Sequence, residues 1–176
     1  LEWTFLGRVD YGRALQLQRR QVERVAAGGP ARLLLLEHPP TITLGRSASE
    51  QNVLMTQPEL ADRGIGLHRV LRGGDVTYHG PGQLVGYPIA HLGAVGCSVP
   101  TWVAGHAEAI VAYLESLGVR ARWSAEHPGV WVENKKIAAV GFHLSRRISS
   151  HGFALNLDPD LSHYQAIVPC GLHDYG

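Results

Sequence analysis

"RARWSAEHPGVWVENKKIAAVGFHLSRRISSHGFALNL", residues 120–157, is the stretch that decides the fold. It contains four strand-like segments joined by short connections, at 120–123, 130–133, 136–145 and 149–157. Strands joined by short turns pair antiparallel, because a parallel pair needs a long crossover. We therefore predict an α+β fold with a mixed, largely antiparallel sheet and packed helices, and not a doubly wound parallel sheet.

Two helices are predicted outside this stretch. Residues 101–117 carry the clearer apolar stripe, with spacings of four and three residues between Val103, Ala107, Ile110, Leu114 and Leu117. Residues 11–27 form the second helix, whose predicted apolar face is Tyr11, Leu15, Val22 and Ala26. The remaining strands are predicted at 3–6, 32–37, 41–44 and 67–71, with an irregular excursion over 46–66.

The length and composition suit one domain over residues 1–176, or one domain with a small appendage. The net charge of +1 gives no overall field for nucleic acid or an anionic membrane, and no apolar run approaches the roughly 20 residues of a membrane span. Two cysteines do not make a disulfide framework, so a cytoplasmic location is expected. The histidine spacings do not predict a metal site, although Cys170 and His173 lie close together.

The segment "LRGGDVTYHGPGQLVGYP", residues 71–88, holds many turn-forming residues and distinct polar groups. Gly73-Gly74 and Gly80-Pro81-Gly82 predict tight turns at both ends of a short strand. Strand alternation puts Val76 and Tyr78 on one face, and Asp75, Thr77 and His79 on the other. The polar face and its glycine-rich ends favour a strand that lines a ligand site, and no nucleotide phosphate loop pattern is present.

A second chemical signal is Cys170, which lies in a loop between Pro169 and Gly171. A nucleophilic thiol needs a neighbouring base or cation, and the candidates are His79, His151, His173, Lys135 and Lys136. In a strand over 136–145, Lys136 alternates in phase with Ala138, Val140, Phe142 and Leu144 on the apolar face, and Lys135 points to the other face. Desolvation there would lower the pKa of the Lys136 amine, and the alternative is a lysine that extends to solvent from the strand end. Cys97 is interpreted as structural.

Four segments together resemble the octanoyltransferases of lipoate synthesis. They are "RGGDVTYHGPGQLVGYPI" at 72–89, "KKIAAVG" at 135–141, "HGFALNLD" at 151–158 and "PCG" at 169–171. The resemblance implies the fold of lipoate and biotin protein ligases. It also implies an acyltransferase that moves an octanoyl group from octanoyl-acyl carrier protein, through a cysteine thioester, to a lysine of a lipoyl domain. The family continues beyond this position, so a C-terminal segment is expected to follow.

The resemblance also assigns residues. Cys170 corresponds to the catalytic cysteine and Lys136 to the catalytic lysine. The acyl-binding positions correspond to Arg72, Gly73, Gly74, Asp75, Val76, Thr77, Tyr78 and His79, to Ala139, Val140 and Gly141, and to Gly152, Phe153 and Ala154. The expected acceptors are the lipoyl domains of 2-oxoacid dehydrogenases and the glycine cleavage H protein. No cofactor or metal is expected, because a thioester donor is already activated.

Four alternatives remain at this point, of which a metal protein is disfavoured by the histidine spacing. An ATP-dependent lipoate or biotin ligase would share the fold without a nucleophilic cysteine. A Cys-dependent thioesterase would pass the acyl group to water, and a noncatalytic module would form no acyl-enzyme. For the docking of an acidic carrier, the sequence suggests the basic pair Arg146-Arg147.

Overall fold

The computed structural model describes residues 2–169, which form two sheets and three α-helices. The strands are β1 (Glu2–Arg8), β2 (Arg32–Glu37), β3 (Thr41–Leu44), β4 (Gly66–Arg69), β5 (Val76–His79), β6 (Gln83–Ile89), β7 (Arg122–Ser124), β8 (Gly129–Val132), β9 (Lys135–Ser145) and β10 (Ile148–Asn156). The helices are α1 (Tyr11–Ala26), α2 (Gln57–Asp62) and α3 (Val99–Ser116), with short 3₁₀ turns at Glu50–Asn52 and Leu161–Ala166.

The larger sheet has seven strands in the order β1-β2-β6-β10-β9-β8-β7. Only β1 and β2 pair in parallel, and every other neighbouring pair is antiparallel. The β7–β8–β9–β10 run is a meander, as the short connections over 120–157 require. The predicted α+β class with a largely antiparallel sheet is therefore confirmed.

The smaller sheet has the order β4-β3-β5, with β3 parallel to β4 and antiparallel to β5. It has its own apolar core, which includes Ile42, Val76 and Tyr78 on one face of the sheet. Thr43 and Thr77 are paired neighbours in β3 and β5. Because side chains alternate along a strand, the polar residues of β5 face away from this core.

Helices α1 and α3 pack on the larger sheet and start with side-chain caps. The Asp10 carboxylate accepts a hydrogen bond from Arg13 N at 3.0 Å, and the Ser98 hydroxyl accepts one from Thr101 N at 3.3 Å. Each bond satisfies a backbone N–H that has no partner within the helix. The structure has no helix within residues 2–169 that is long and apolar enough to cross a membrane.

The predicted apolar faces of the two long helices needed correction. In α1 the buried positions are Tyr11, Ala14, Gln18 and Val25, whereas Ala26 is exposed and Leu15 is half-buried. The buried face differs from the predicted one because the polar Gln18 lies in the core, where its side-chain oxygen accepts a hydrogen bond from the backbone N–H of His151. In α3 the buried stripe is Ala107, Ile110 and Leu114, and Leu117 is 60% exposed because it lies just beyond the last helical residue.

The predicted orientation of Lys136 was wrong, because β9 contains a bulge. Val130 is paired with Ala138, but the next residue, Trp131, is paired with Lys136, so Ile137 is an extra residue on β9. Ile137 and Ala138 both pack on the α3 side of the sheet. Lys136 therefore lies on the opposite face. A count of alternation cannot detect this shift, because the extra residue is defined only by the pairing with β8.

Candidate active site

A cavity of about 510 Å³ is lined by residues from both sheets. Its walls include nearly all of the predicted binding residues: Arg72, Gly73, Gly74, Asp75, Thr77, His79, Ala139, Val140, Gly141, Gly152, Phe153 and Ala154. Lys136 also lines it. Three segments that are far apart in sequence are thus brought to one space.

Two predicted binding residues do not line the cavity. Val76 and Tyr78 have 0% exposure and belong to the apolar core of the smaller sheet. The Tyr78 hydroxyl is 2.6 Å from His163 Nδ1, on the far side of β5. They support the strand whose other face, with Thr77 and His79, forms the cavity wall. Neither side chain can therefore contact a molecule bound in the cavity.

Small residues form a row across the larger sheet beside the cavity. Ala139 of β9 is paired with Ala154 of β10, which is paired with Val85 of β6. All three line the cavity. Short side chains at neighbouring positions leave space above the sheet, so this row is a slender apolar groove.

The next row along the strands is closed by backbone. Gly141 is paired with Gly152. A Cβ at Gly141 would come within 2.9 Å of the Gly73 carbonyl oxygen, and one at Gly152 would overlap the Gly86 carbonyl. Gly141 allows the Gly73 loop to approach the sheet, and Gly152 allows close packing against the neighbouring strand β6. Their role is to permit close packing, and they do not leave open channel space.

The loop before β5 is held in place by Arg72, which is 8% exposed. Its guanidinium donates to the Thr43 carbonyl oxygen at 2.7 Å, to the Thr43 hydroxyl at 2.9 Å and to the Gly73 carbonyl oxygen at 3.0 Å. The loop is also paired with β9, because Gly73 N donates to Phe142 O at 2.9 Å. This network fixes the glycine turn against the sheet.

A cluster of five rings, which we call the inner cluster, lies at the inner end of the cavity. Tyr11, His79, Tyr87 and His151 line the cavity, and His38 packs behind them against Tyr11, His79 and Tyr87. His38 is hydrogen-bonded through Nδ1 to Val9 O at 2.8 Å and through Nε2 to the Tyr87 hydroxyl at 2.7 Å. The His79 and Tyr11 rings are stacked, with centroids 5.9 Å apart. His79 Nδ1 is 2.7 Å from Gln83 Oε1, which fixes the orientation of its ring.

Burial keeps the inner cluster neutral. It lowers the pKa of His38 to about 4 and the pKa of His151 to about 4, with the nearby Arg72 guanidinium lowering the latter further. Burial also places the pKa of His79 well below its ordinary value. It raises the pKa of Tyr11 to about 12, although Arg72 opposes that change. None of these rings changes its charge near neutral pH.

His151 has an unusual backbone conformation, with φ of +55°. Its N–H donates to Gln18 Oε1 at 2.8 Å, which draws the polar Gln18 of α1 into the core at 3% exposure. Left-handed φ at a buried non-glycine residue is costly, and it persists only when its surroundings determine it. The hydrogen bond to Gln18 helps to hold His151 in this backbone conformation.

The outer end of the cavity contains Lys136. Its Nζ donates to the Pro128 carbonyl oxygen at 3.3 Å and lies 5.0 Å from the ring centroid of Trp131. The loop that includes Glu126, His127 and Pro128 also lines this end. Lys136 is thus a cation in a partly solvated position, in contrast to the neutral inner cluster.

Cys170 and His173 lie outside the described residues. Cys97 is a partly exposed free thiol whose Sγ is 3.4 Å from Ser98 O, and it does not line the cavity. Within residues 2–169, no group of three or more His, Cys, Asp or Glu side chains could hold a metal ion.

Sequence reasoning missed several cavity residues. Tyr11 was interpreted only as part of a helix, and Val85 and Tyr87 were quoted within the motif at 72–89 without a role at the site. Tyr11 lies in a segment with no chemical motif of its own, and only the tertiary packing of α1, β5 and β6 brings the inner cluster together. The one available signal was His38, a histidine at the end of a buried strand.

Comparison with known proteins identifies the family. Residues 10–175 match the lipoyl protein ligase A/B catalytic domain. The chain is 48% identical to an octanoyltransferase of Acidobacterium capsulatum, over 99% of this chain and 76% of the relative. It is 49% identical to an octanoyltransferase of Solibacter usitatus, over 95% and 76%. It is 43% identical to the mitochondrial octanoyltransferase LIP2 of Arabidopsis thaliana, over 99% and 75%.

Solved structures support the fold. A bi-partite lipoate protein ligase of Thermoplasma acidophilum superposes with a TM-score of 0.72 at 18% identity, covering 98% of this chain and 68% of that one. A lipoate-protein ligase A bound with ATP gives a TM-score of 0.70 at 17% identity, covering 100% and 79%. The predicted likeness to the lipoate ligase fold is confirmed.

Proposed function

Because this chain belongs to the lipoyl protein ligase A/B catalytic domain family and is an octanoyltransferase of lipoate biosynthesis, we propose that its reaction runs through an acyl-enzyme on Cys170. Octanoyl-acyl carrier protein is the proposed donor, and a lysine of a lipoyl domain is the acceptor. One observation carries this proposal: the cavity places the lysine of the family motif, Lys136, beside a groove of small apolar residues.

In the first half-reaction, the Cys170 thiolate attacks the carbonyl carbon of the donor thioester. A new carbon–sulfur bond forms and the bond to the carrier sulfur breaks. The Lys136 ammonium stabilises the thiolate before the attack, and it gives its proton to the departing carrier thiolate. Lys136 is left neutral, and the octanoyl group is held on Cys170.

In the second half-reaction, the neutral amine of the lipoyl-domain lysine attacks the acyl carbon. A carbon–nitrogen bond forms, Cys170 departs as a thiolate, and the excess proton of the amine passes to the neutral Lys136. The ammonium and thiolate with which the cycle began are restored. No ATP, metal or other cofactor is consumed, because the energy of the donor thioester drives both steps.

The groove of Ala139, Ala154 and Val85 supports the placement of the acyl chain. It begins about three residues from Lys136 along β9, which is roughly 10 Å at about 3.3 Å per residue. Its apolar walls match an alkyl chain, whereas the loop held by Arg72 closes the space above Gly141. We propose that the chain lies in this groove with its thioester end toward Lys136.

The proposed acceptors are the lipoyl domains of 2-oxoacid dehydrogenases and the glycine cleavage H protein, and the proposed compartment is the cytoplasm. A free reactive thiol at Cys170 requires a reducing compartment. Incubating the protein with apo forms of both acceptor types would rank them by the rate of octanoylation.

The deciding experiment is intact-protein mass spectrometry after incubation with octanoyl-acyl carrier protein, without ATP. Wild type should gain the mass of one octanoyl group, and Cys170→Ser should gain none. Cys97→Ser is the matched control and should acylate normally. Acylation of the Cys170→Ser protein would refute the thioester assignment.

The ATP-bound ligase of similar fold makes one rival worth testing directly. A ligase would octanoylate a lipoyl domain from free octanoate only when ATP is present, and Cys170→Ser would retain that activity. A thioesterase would release free octanoate whether or not a lipoyl domain is added. Either pattern would replace the proposed transfer mechanism.

A further inference from the structure

Lys136 is surrounded by a specific set of contacts from β8 and the loop before it. The bulge at Ile137 turns Lys136 onto the cavity face, where it lies directly opposite Trp131 in the β8–β9 pairing. A residue with any side chain at position 129 would disturb this arrangement, because a Cβ on Gly129 would come within 2.9 Å of Lys136 Cδ. The lysine stem therefore lies in a slot above Gly129.

Trp131 forms the floor beneath the lysine nitrogen. Its side chain is well fixed, since the residue is 2% exposed and the indole N–H donates to His127 O at 3.1 Å. Lys136 Nζ is 5.0 Å from the ring centroid, within the range over which the negative face of an indole attracts an ammonium. The Pro128 carbonyl accepts from the same nitrogen at 3.3 Å.

Both contacts of Lys136 Nζ favour the charged form of the lysine. A ring face and a carbonyl oxygen both stabilise a positive charge at Nζ, and both come from a rigid strand and the loop attached to it. The bulge, the slot above Gly129 and the fixed indole also limit the rotamers open to the lysine. Such a constraint reduces the conformational entropy that must be lost before the nitrogen can meet its partners.

We propose that Trp131 is a positioning residue for the acyl transfer, which holds the Lys136 ammonium at the outer end of the cavity. Trp131 acts through Lys136 and need not touch the acyl group itself. This inference rests on the proposed role of Lys136, and it adds that the reactivity of Cys170 depends on a residue outside every motif that identifies the family resemblance.

The test measures the alkylation rate of Cys170 against pH, in protein that carries Cys97→Ser so that one thiol reacts. Trp131→Leu removes the ring and should reduce the rate at pH 7 by roughly 2- to 30-fold, the range expected for loss of a cation–π contact, and should move the midpoint of the profile upward. Trp131→Phe keeps a weaker ring and should give an intermediate profile.

Trp123→Leu is the matched control. Trp123 lies on β7 in the same meander, but it packs on the α3 side of the sheet and does not line the cavity. This variant removes a partly buried tryptophan of the same meander and should keep the wild-type profile. An equal shift for Trp123→Leu and Trp131→Leu would mean a general loss of structure, and the inference would be overturned.

Nuclear magnetic resonance supplies a readout that does not depend on activity. The chain has only two lysines, Lys135 and Lys136, so their ε-methylene signals can be followed individually. The ring current of Trp131 should move the Lys136 signals upfield of those of Lys135. Trp131→Phe, the milder variant, should reduce the separation even if Trp131→Leu fails to fold. Coincident signals in the wild type would refute the contact.

The outcomes separate the two proposals. If Lys136→Ala raises the alkylation midpoint but both Trp131 variants keep the wild-type profile, the role of Trp131 is refuted and the proposed reaction stands. If Lys136→Ala leaves the midpoint unchanged, the dyad itself is wrong and the inference about Trp131 falls with it.

Discussion

The two ends of the cavity differ in the environment that they give to ionisable side chains. At the inner cluster, burial lowers the pKa of His38 and His151 to about 4, so the imidazoles are neutral. At the outer end, Lys136 is partly solvated and contacts a carbonyl oxygen and an aromatic ring, both of which favour a cation. The histidines of the inner cluster thus serve packing and hydrogen bonding, whereas the lysine at the outer end lies where water can reach it.

The largest expected effect tests the outer end. Lys136→Ala should keep the fold and slow acyl transfer by about 10²–10⁴-fold, the range for loss of a general acid–base. Lys135→Ala is the matched control, since Lys135 is exposed and does not line the cavity. Single-turnover rates with octanoyl-acyl carrier protein measure both. A larger loss for Lys135→Ala would reverse the assignment of the pair.

The inner end can be tested by acid unfolding. The unfolded chain binds protons with ordinary histidine pKa values near 6.5, whereas folded His38 and His151 bind them near 4. The stability that the two neutral histidines contribute to the folded state is therefore fully present above about pH 6.5. It is lost as the pH falls toward 4, because the unfolded chain then binds protons that the folded protein does not. The loss should reach about 3 kcal/mol for each histidine. Urea unfolding at pH 7, 5.5 and 4.5 measures it.

A substitution at His38 sharpens this test. His38→Phe should lower stability at pH 7, because it leaves Val9 O and the Tyr87 hydroxyl without their partner, but it should flatten the pH dependence. A wild-type stability that is flat between pH 7 and 4.5 would show that the inner histidines are not held neutral.

Substitutions in the groove between the two ends should have a smaller effect, which is graded with the length of the donor acyl chain. Ala154→Leu should fill part of the row and shift preference from octanoyl toward shorter donors, by about fourfold in relative kcat/KM for each methylene excluded, from ~0.8 kcal/mol per methylene. Gly152→Ala should instead reduce stability without changing the order of preference, because a Cβ there would overlap the Gly86 carbonyl. An equal loss for all donors in folded Ala154→Leu would place the chain elsewhere.

The smallest effect is expected at Arg146-Arg147. Both residues have positive φ, +49° and +64°, and form the exposed two-residue turn between β9 and β10. They lie at the opposite end of β9 from Lys136, roughly 30 Å away at about 3.3 Å per residue. Charge reversal should therefore change the KM for the carrier by less than about twofold, because the turn lies far from the lysine that the acyl group must reach. A large, salt-dependent rise in KM would support this turn as the docking face that the sequence suggests.

Arg146→Asn with Arg147→Gly separates charge from conformation at the same turn. An Asn-Gly pair suits two successive residues with positive φ, so the variant should raise the thermal midpoint while leaving transfer unchanged. Loss of carrier binding despite higher stability would show that the arginine charges are used in docking.

The sequence alone determined the fold class, the long helices within a few residues, and most of the segments that line the cavity. Short connections over 120–157 favoured antiparallel pairing, and the motifs at 72–89, 135–141 and 151–158 all contribute residues to one cavity. The polar face of residues 75–79 was also correct, because strand alternation is local and that strand is regular. Predictions from side-chain periodicity were correct wherever a strand or helix is regular over its whole length.

Only the tertiary structure decided the rest. The orientation of Lys136 depends on a bulge that exists through pairing with β8, so counting along β9 alone gave the wrong face. The inner cluster joins Tyr11, His38 and Tyr87 from separate elements, and Gln18 was drawn inward by a hydrogen bond to residue 151. These features depend on contacts between distant parts of the chain. Their energies come from burial and hydrogen bonding that no local pattern contains.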